Sequence, residues 1–125
     1  MVLKKARGNS IQRRWSYLFE CDNYLDYASN ISKGLYIYGA TIVDAGFYSG
    51  LEIQLQRYVD SCECWINVPT YYWDAYAEDD FVEISEDDVS VASGIYRFEI
   101  VHTAHDTDGL EIEAFFANSN EIRVP

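Results

Sequence analysis

The sequence predicts a mainly β protein: a small, strongly coiled antiparallel barrel that also carries two helical segments. Apolar and polar residues alternate over residues 51–55, which is the pattern of a half-buried strand. A hairpin-like stretch, residues 34–57, has a shortened copy at residues 94–116, and both copies resume after their turn with the tetrapeptide GLEI. Gly, Asp and Ser between the alternating runs are typical of hairpin turns.

The length of 125 residues, with 49% apolar residues, indicates one ordinary domain. Asn9 or Ser10 can cap a helix whose apolar face would include Ile11 and Trp15. We therefore expect a basic N-terminal arm over residues 1–8 and one globular domain over residues 9–125. Within the domain, we expect a helical segment over residues 9–33 and a barrel-like body over residues 34–125.

Within the body, the period-two pattern predicts which side chains are buried. Gly39 predicts a bulge or a sharp coil of the first strand. Pro69 predicts the end of the third strand, with Thr70 capping a short helix over residues 71–78. A second hairpin would place Leu110, Ala114 and Phe116 inward, and a last strand would cover residues 121–124. The predicted core residues are Leu35, Ile37, Leu51, Ile53, Leu55, Ile66, Val68, Phe98 and Ile112.

Three strands, an intervening helix and a final hairpin follow one another in this prediction. Over residues 34–116 this order resembles the OB-fold, and it is similar at that level to small OB-type proteins of phages and mobile elements. The resemblance implies a five-stranded Greek-key barrel.

Charge is distributed unevenly along the chain. The net charge is −12; residues 1–19 hold five basic residues and no acid, and the rest hold all 21 acids. Seven acids fall within residues 78–88. A strongly acidic body repels nucleic acid, although acidity also serves plain solubility.

Cys21, Cys62 and Cys64 are predicted to be free thiols, because two cysteines in C-x-C spacing on one strand are poorly placed to bond each other. Neither a signal peptide nor a membrane-spanning stretch is evident, so we expect a cytoplasmic protein, in a host cytoplasm if it is encoded by a phage.

Residues 102–108 contain His102, His105, Asp106 and Asp108, but Asp and Gly are also the ordinary residues of a hairpin loop. We therefore predict no metal site. Nucleophile and phosphate-loop motifs are also missing from the sequence, so we expect neither an enzyme nor a cofactor.

Two kinds of binding are left open. The acidic residues can occupy the basic groove of a protein partner as a mimic of DNA, and in composition the chain resembles acidic phage-encoded inhibitors of host defence, such as anti-CRISPR and anti-restriction proteins. The alternative is single-stranded nucleic-acid binding on an aromatic strand face. We favour the protein partner. The acidic candidates are Glu78, Asp79, Asp80, Glu86, Asp87 and Asp88; the aromatic candidates are Tyr36, Tyr38, Trp65, Tyr71, Tyr72 and Trp73.

Overall fold

The computed structural model describes residues 9–11 and 15–125, and all regular structure within them is β. The strands are β1 (Asn9–Ile11), β2 (Leu18–Tyr27), β3 (Gly34–Val43), β4 (Tyr48–Val59), β5 (Cys64–Ala77), β6 (Phe81–Ser90), β7 (Gly94–His105), β8 (Glu111–Asn118) and β9 (Ile122–Val124). Both predicted helices are wrong, since β1 and β2 occupy most of residues 9–33 and β5 runs through residues 71–77. The predicted basic arm, residues 1–8, lies outside the described residues.

The strands form two antiparallel sheets that pack face to face as a sandwich, so the predicted closed barrel is wrong. One is a four-stranded sheet in the order β1-β2-β3-β6. The other is a five-stranded sheet in the order β5-β4-β7-β8, in which β9 pairs with the other half of β7. Apolar side chains from the facing sides of both sheets form the main core: Leu25, Leu35, Ile37, Leu51, Ile53, Leu55, Val82, Ile84, Val89, Tyr96, Phe98, Ile100 and Val124.

The predicted first hairpin, residues 34–57, is not a hairpin. β3 and β4 belong to different sheets, and residues 44–47 cross between them. β3 instead pairs with β2 and β6, and β4 pairs with β5 and β7. The second predicted hairpin is confirmed as β7–β8, and the predicted last strand as β9.

Gly39 does not form a bulge; it faces the side chains of the other sheet at close distance. A Cβ atom at Gly39 would stand 2.6 Å from Ile100 Cδ1 and 3.0 Å from Ile53 Cδ1. The register shifts of β3 lie elsewhere, opposite the 18–20 segment of β2 and between Leu35 and Ile37. Glycine is needed here because a larger residue would collide with the other sheet, and not because the backbone adopts an unusual conformation.

β5 contains Pro69 within the strand, and it accommodates the proline in a large bulge. Gln54 pairs with Tyr72 and Gln56 pairs with Asn67, so several residues of β5 oppose one residue of β4. The Gln54 amide fills the gap, with Nε2 3.0 Å from the Leu55 and Val68 carbonyl oxygens. Because β5 is an edge strand, proline costs it no ladder hydrogen bond on the open side.

Six of the nine predicted core residues are buried: Leu35, Ile37, Leu51, Ile53, Leu55 and Phe98. Ile66 and Ile112 are exposed instead, and Val68 is partly buried at the edge of the core. The face of β8 was predicted in the wrong phase, because Glu113, Phe115 and Ala117 point inward while Ala114 and Phe116 point outward. A one-residue slip of register exchanges the two faces of a strand.

Cys62 and Cys64 are joined by a disulfide, which overturns the prediction of three free thiols; Cys21 is free and buried. Cys62 does not lie on a strand. The turn over residues 60–63, in which Glu63 adopts a left-handed φ of 52°, brings the two Cα atoms to 5.2 Å. That spacing is within the usual range for a disulfide.

Along the described ranges, 9–11 and 15–125, the structure has no helix long and apolar enough to cross a membrane.

Candidate protein-interaction face

The six acidic candidates do not form one site. Glu78, Asp79 and Asp80 lie at the turn between β5 and β6, whereas Glu86–Asp88 lie near the other end of β6. Glu86 lies six positions beyond Asp80 along the extended chain, which corresponds to roughly 20 Å. The structure therefore divides the acidic run of the sequence into two separate clusters.

The second cluster serves the local structure. Asp87 accepts a hydrogen bond from the backbone N–H of Ser29 at 3.1 Å, and Asp88 accepts one from the Asn30 side chain at 3.1 Å. These bonds hold the β2–β3 turn against β6. The first cluster borders a cleft of about 270 Å³ together with Phe47 and Tyr48 and stays accessible.

The six aromatic candidates are spread over three surfaces. Tyr36 and Tyr38 lie on the outer side of the four-stranded sheet, where Tyr38 is fully buried. Tyr71 and Trp73 stack on each other at 5.8 Å and pack against the core. Trp65 and Tyr72 lie on the outer side of the five-stranded sheet. A single aromatic platform of these six residues is therefore excluded.

A different aromatic surface is present on the outer side of the five-stranded sheet, which we call the outer face. The register places Tyr76, Gly50, Thr103 and Ala114 in one row across four strands and Asp74, Glu52, Val101 and Phe116 in the next. Phe116 is 73% exposed, Tyr76 48% and Tyr72 45%. Two strands, β5 and β8, thus contribute large exposed rings to one side of the sheet.

Carboxylates lie between these rings. Glu52 on β4 lies opposite Asp74 on β5. Glu99 on β7 lies in the neighbouring row, opposite Gln54. The Tyr72 hydroxyl donates a 2.9 Å hydrogen bond to Glu52 Oε1. Loss of solvent, that hydrogen bond and the nearby carboxylates together raise the pKa of Tyr72 to about 12, so its hydroxyl stays protonated.

Arg97 lies further along the outer face, opposite Gln56, and its guanidinium is already engaged. It lies 4.4 Å from the centre of the Trp65 ring, and its Nε donates to Gln56 Oε1 at 2.9 Å. Gln56 Nε2 donates in turn to Asn67 Oδ1 at 3.0 Å. This ladder fixes Trp65 by a cation–π contact and orders one end of the outer face.

Two clefts indent the outer face. One, of about 330 Å³, has Gly50 at its floor and is bordered by Asp74, Tyr76, His105 and Glu111. The other, of about 340 Å³, lies beside Phe116 between β7 and β8. The outer face thus combines exposed rings, carboxylates and two clefts.

The residues of the 102–108 segment are not gathered around one point. His102 is buried between the sheets, whereas the His105 ring packs edge-on against Tyr76 on the outer face, at 5.0 Å. Among residues 9–11 and 15–125, no group of three or more potential ligands could hold a metal ion.

Comparison with protein-family models, curated proteins and solved structures returns no match.

Sequence reasoning missed Tyr76 and Phe116 as surface residues. Tyr76 was assigned to a helix, although Tyr72, Asp74 and Tyr76 alternate with Tyr71, Trp73 and Ala75 in the period of a strand. Phe116 was predicted to face the core because it alternates in phase with Leu110 and Ala114, but its neighbour Phe115 is equally apolar, so the pair leaves the phase of the strand undetermined.

Proposed function

We propose that this protein is a binding module, without catalytic activity, that recognises a basic protein partner through its outer face. The observation that carries the proposal is the placement of exposed aromatic rings and carboxylates on one sheet surface. Tyr72, Tyr76 and Phe116 supply the apolar contacts, and Glu52, Asp74 and Glu99 supply the charge.

Aromatic side chains support this proposal because they bury large areas while losing little conformational entropy, and Tyr and Trp are enriched at binding hot spots. An exposed ring such as Phe116 loses contact with water when a partner covers it. Carboxylates beside the rings favour a partner surface rich in Lys and Arg, since complementary charge speeds association and suppresses wrong partners. A nucleic-acid-binding groove of another protein is one such surface.

The charge of the outer face disfavours the alternative, single-stranded nucleic acid. Affinity for nucleic acid comes mainly from cationic contacts with phosphates. On the outer face, Glu52, Asp74 and Glu99 oppose such contacts, and the guanidinium of Arg97 is already held by Trp65 and Gln56.

Affinity capture with matched variants tests the proposal. The wild-type protein would be immobilised beside a face variant, Phe116→Ser with Tyr72→Ala, and a loop variant, Glu78→Gln with Asp79→Asn and Asp80→Asn. Captured proteins would be purified and their binding measured at low and high salt. We expect a basic partner that binds the wild-type protein and the loop variant alike, with weaker binding at high salt, and that loses most of its affinity for the face variant.

Two results would contradict the proposal. One is a partner that binds the face variant as tightly as the wild-type protein. The other is tight binding of a labelled single-stranded oligonucleotide by the wild-type protein at physiological salt, abolished in the face variant.

A further inference from the structure

The cleft above Gly50 has an unusual floor. Gly50 pairs with Tyr76 on β5 and with Thr103 on β7, so it has a neighbouring strand on both sides. A Cβ atom there would collide with Thr103 Oγ1 and lie 2.8 Å from His105 Nε2. Glycine therefore allows the Thr103 and His105 side chains of β7 to lie close to the backbone of β4. Tyr76 borders the same position from β5, on the other side of β4.

The walls of this cleft combine an aromatic ring with carboxylates. Tyr76 packs edge-on against both His105, at 5.0 Å, and Tyr48, at 6.3 Å, which fixes the orientation of its ring. Glu52 and Asp74 lie at one end of the cleft and Glu111 at the other. A fixed ring with acids on both sides is a suitable environment for a flat cation.

We infer that this cleft receives an arginine side chain of the basic partner, an inference that rests on the proposed function. Its volume of about 330 Å³ is at the lower end of ligand sites, roughly 300–1,000 Å³, and fits a side chain better than a cofactor. The three carboxylates exclude phosphate-bearing ligands by charge. A guanidinium can stack on Tyr76 while donating to two carboxylates, which the compact ammonium of lysine does less well.

An arginine of this chain is already bound in this way, by an aromatic ring and an oxygen acceptor. Arg97 stacks over Trp65 and donates to a side-chain oxygen at the edge of the ring. The cleft offers the equivalent elements, a ring and oxygen acceptors, with no guanidinium from the described chain between them.

The test uses a small probe and needs no partner protein. N-acetyl-arginine amide would be titrated into the isotope-labelled full chain, and N-acetyl-citrulline amide, which is nearly isosteric but uncharged, would serve as the control. We expect saturable chemical-shift changes centred on the amides of Gly50, Thr103 and His105 with the arginine probe alone.

Variants test which groups of the cleft bind the arginine probe. Tyr76→Phe keeps the ring and should retain binding, whereas Tyr76→Leu should weaken it by about two- to fivefold. Asp74→Asn with Glu111→Gln should weaken it by about two- to tenfold. Glu121→Gln, an exposed change next to β9, which pairs with the other half of β7, should leave it unchanged.

Equal shifts from the arginine and citrulline probes, or shifts away from the cleft, would overturn the inference. If the partner binds in a manner that depends on Phe116 while the arginine probe leaves the cleft amides unmoved, the cleft assignment fails and the proposed function stands. If the probe binds the cleft while no partner depends on the outer face, the proposed function fails, and the cleft remains a guanidinium site without its partner.

Discussion

The hydroxyl of Thr41 and Nδ1 of His102 lie 2.8 Å apart between the two sheets. The same hydroxyl is 3.0 Å from the Gly50 carbonyl oxygen, which can only accept, so the hydroxyl proton is directed there. Nδ1 of His102 must then carry the hydrogen that the hydroxyl accepts. This chain of two bonds links β7, β3 and β4 across the interior and places the hydrogen of the neutral imidazole on Nδ1.

His102 should make the stability of the protein depend on pH. Burial lowers its pKa to about 3, although a backbone hydrogen bond with Ala40 opposes the shift. Because the unfolded chain takes up the proton near pH 6.5 and the folded chain does not, the free energy of unfolding should fall as the pH drops below about 6.5, by up to ~1.4 kcal/mol per pH unit. Denaturant unfolding between pH 7 and 5 measures this slope, and His102→Asn should reduce it. A slope that the substitution leaves unaltered would show that His102 is not the responsible group.

Glu113 joins β8 to the start of β2. Its carboxylate accepts hydrogen bonds from the backbone N–H groups of Ser16, Tyr17 and Leu18 at 3.0, 2.8 and 2.7 Å. Burial alone would raise the pKa of Glu113, but these three donors outweigh it and lower the pKa. Its stabilisation is therefore present above the unfolded pKa and is lost as the pH falls through the lowered value.

Glu113→Ala should reduce the free energy of unfolding by about 1–3 kcal/mol, because it leaves three backbone donors without their acceptor. Glu111→Ala, an exposed change two residues earlier on the same strand, should stay within about 0.5 kcal/mol of the wild-type protein. Equal effects of the two substitutions in urea unfolding would contradict the role of Glu113.

Gly39→Ala should lower stability by about 1–3 kcal/mol, because the new methyl group would contact Ile100 Cδ1 at 2.6 Å. Ile100→Val removes that atom and alone should cost about 0.5–1.5 kcal/mol. In the double variant the two changes compensate, so its loss of stability should be clearly smaller than the sum. Strict additivity in thermal or urea unfolding would mean that these residues do not face each other, and the packing of the two sheets would be wrong.

The Cys62–Cys64 disulfide predicts one reactive thiol in the unfolded, unreduced protein and three after reduction. The bond closes a ring of only three residues, so the chain-entropy estimate gives it about 1–2 kcal/mol of stabilisation. Cys62→Ala with Cys64→Ala should therefore leave the protein folded. Titration of the unfolded protein with a thiol reagent measures the number of free thiols. Three thiols without reduction would show that the disulfide is absent.

Local periodicity was sufficient to predict several strands and much of the core. Leu51, Ile53 and Leu55 alternate with polar residues, and they are buried as that pattern requires. The pattern does not say which strands pair, so a run of two strands and a turn was taken for a hairpin when β3 and β4 lie in different sheets.

Other errors arose where a long-range contact overrides a local preference. Pro69 is an end signal in most strands, but the bulge filled by Gln54 lets β5 continue past it. Charged residues usually face the solvent, but Glu113 points inward because backbone N–H groups distant in sequence donate hydrogen bonds to its carboxylate. The outer face combines β4, β5, β7 and β8, so its composition depends on a register that the sequence alone did not reveal.

The central claim, that the outer face binds a basic protein partner, is tested most directly by hydroxyl-radical footprinting of the complex. Phe116, 73% exposed on β8, reports on the outer face, and Phe19, 52% exposed on β2, is an internal control on the other sheet. We expect the purified partner to protect Phe116 and Tyr76 from oxidation while Phe19 reacts as in the free protein. Unchanged oxidation of Phe116 in a saturated complex, with protection of Phe19 instead, would contradict the account.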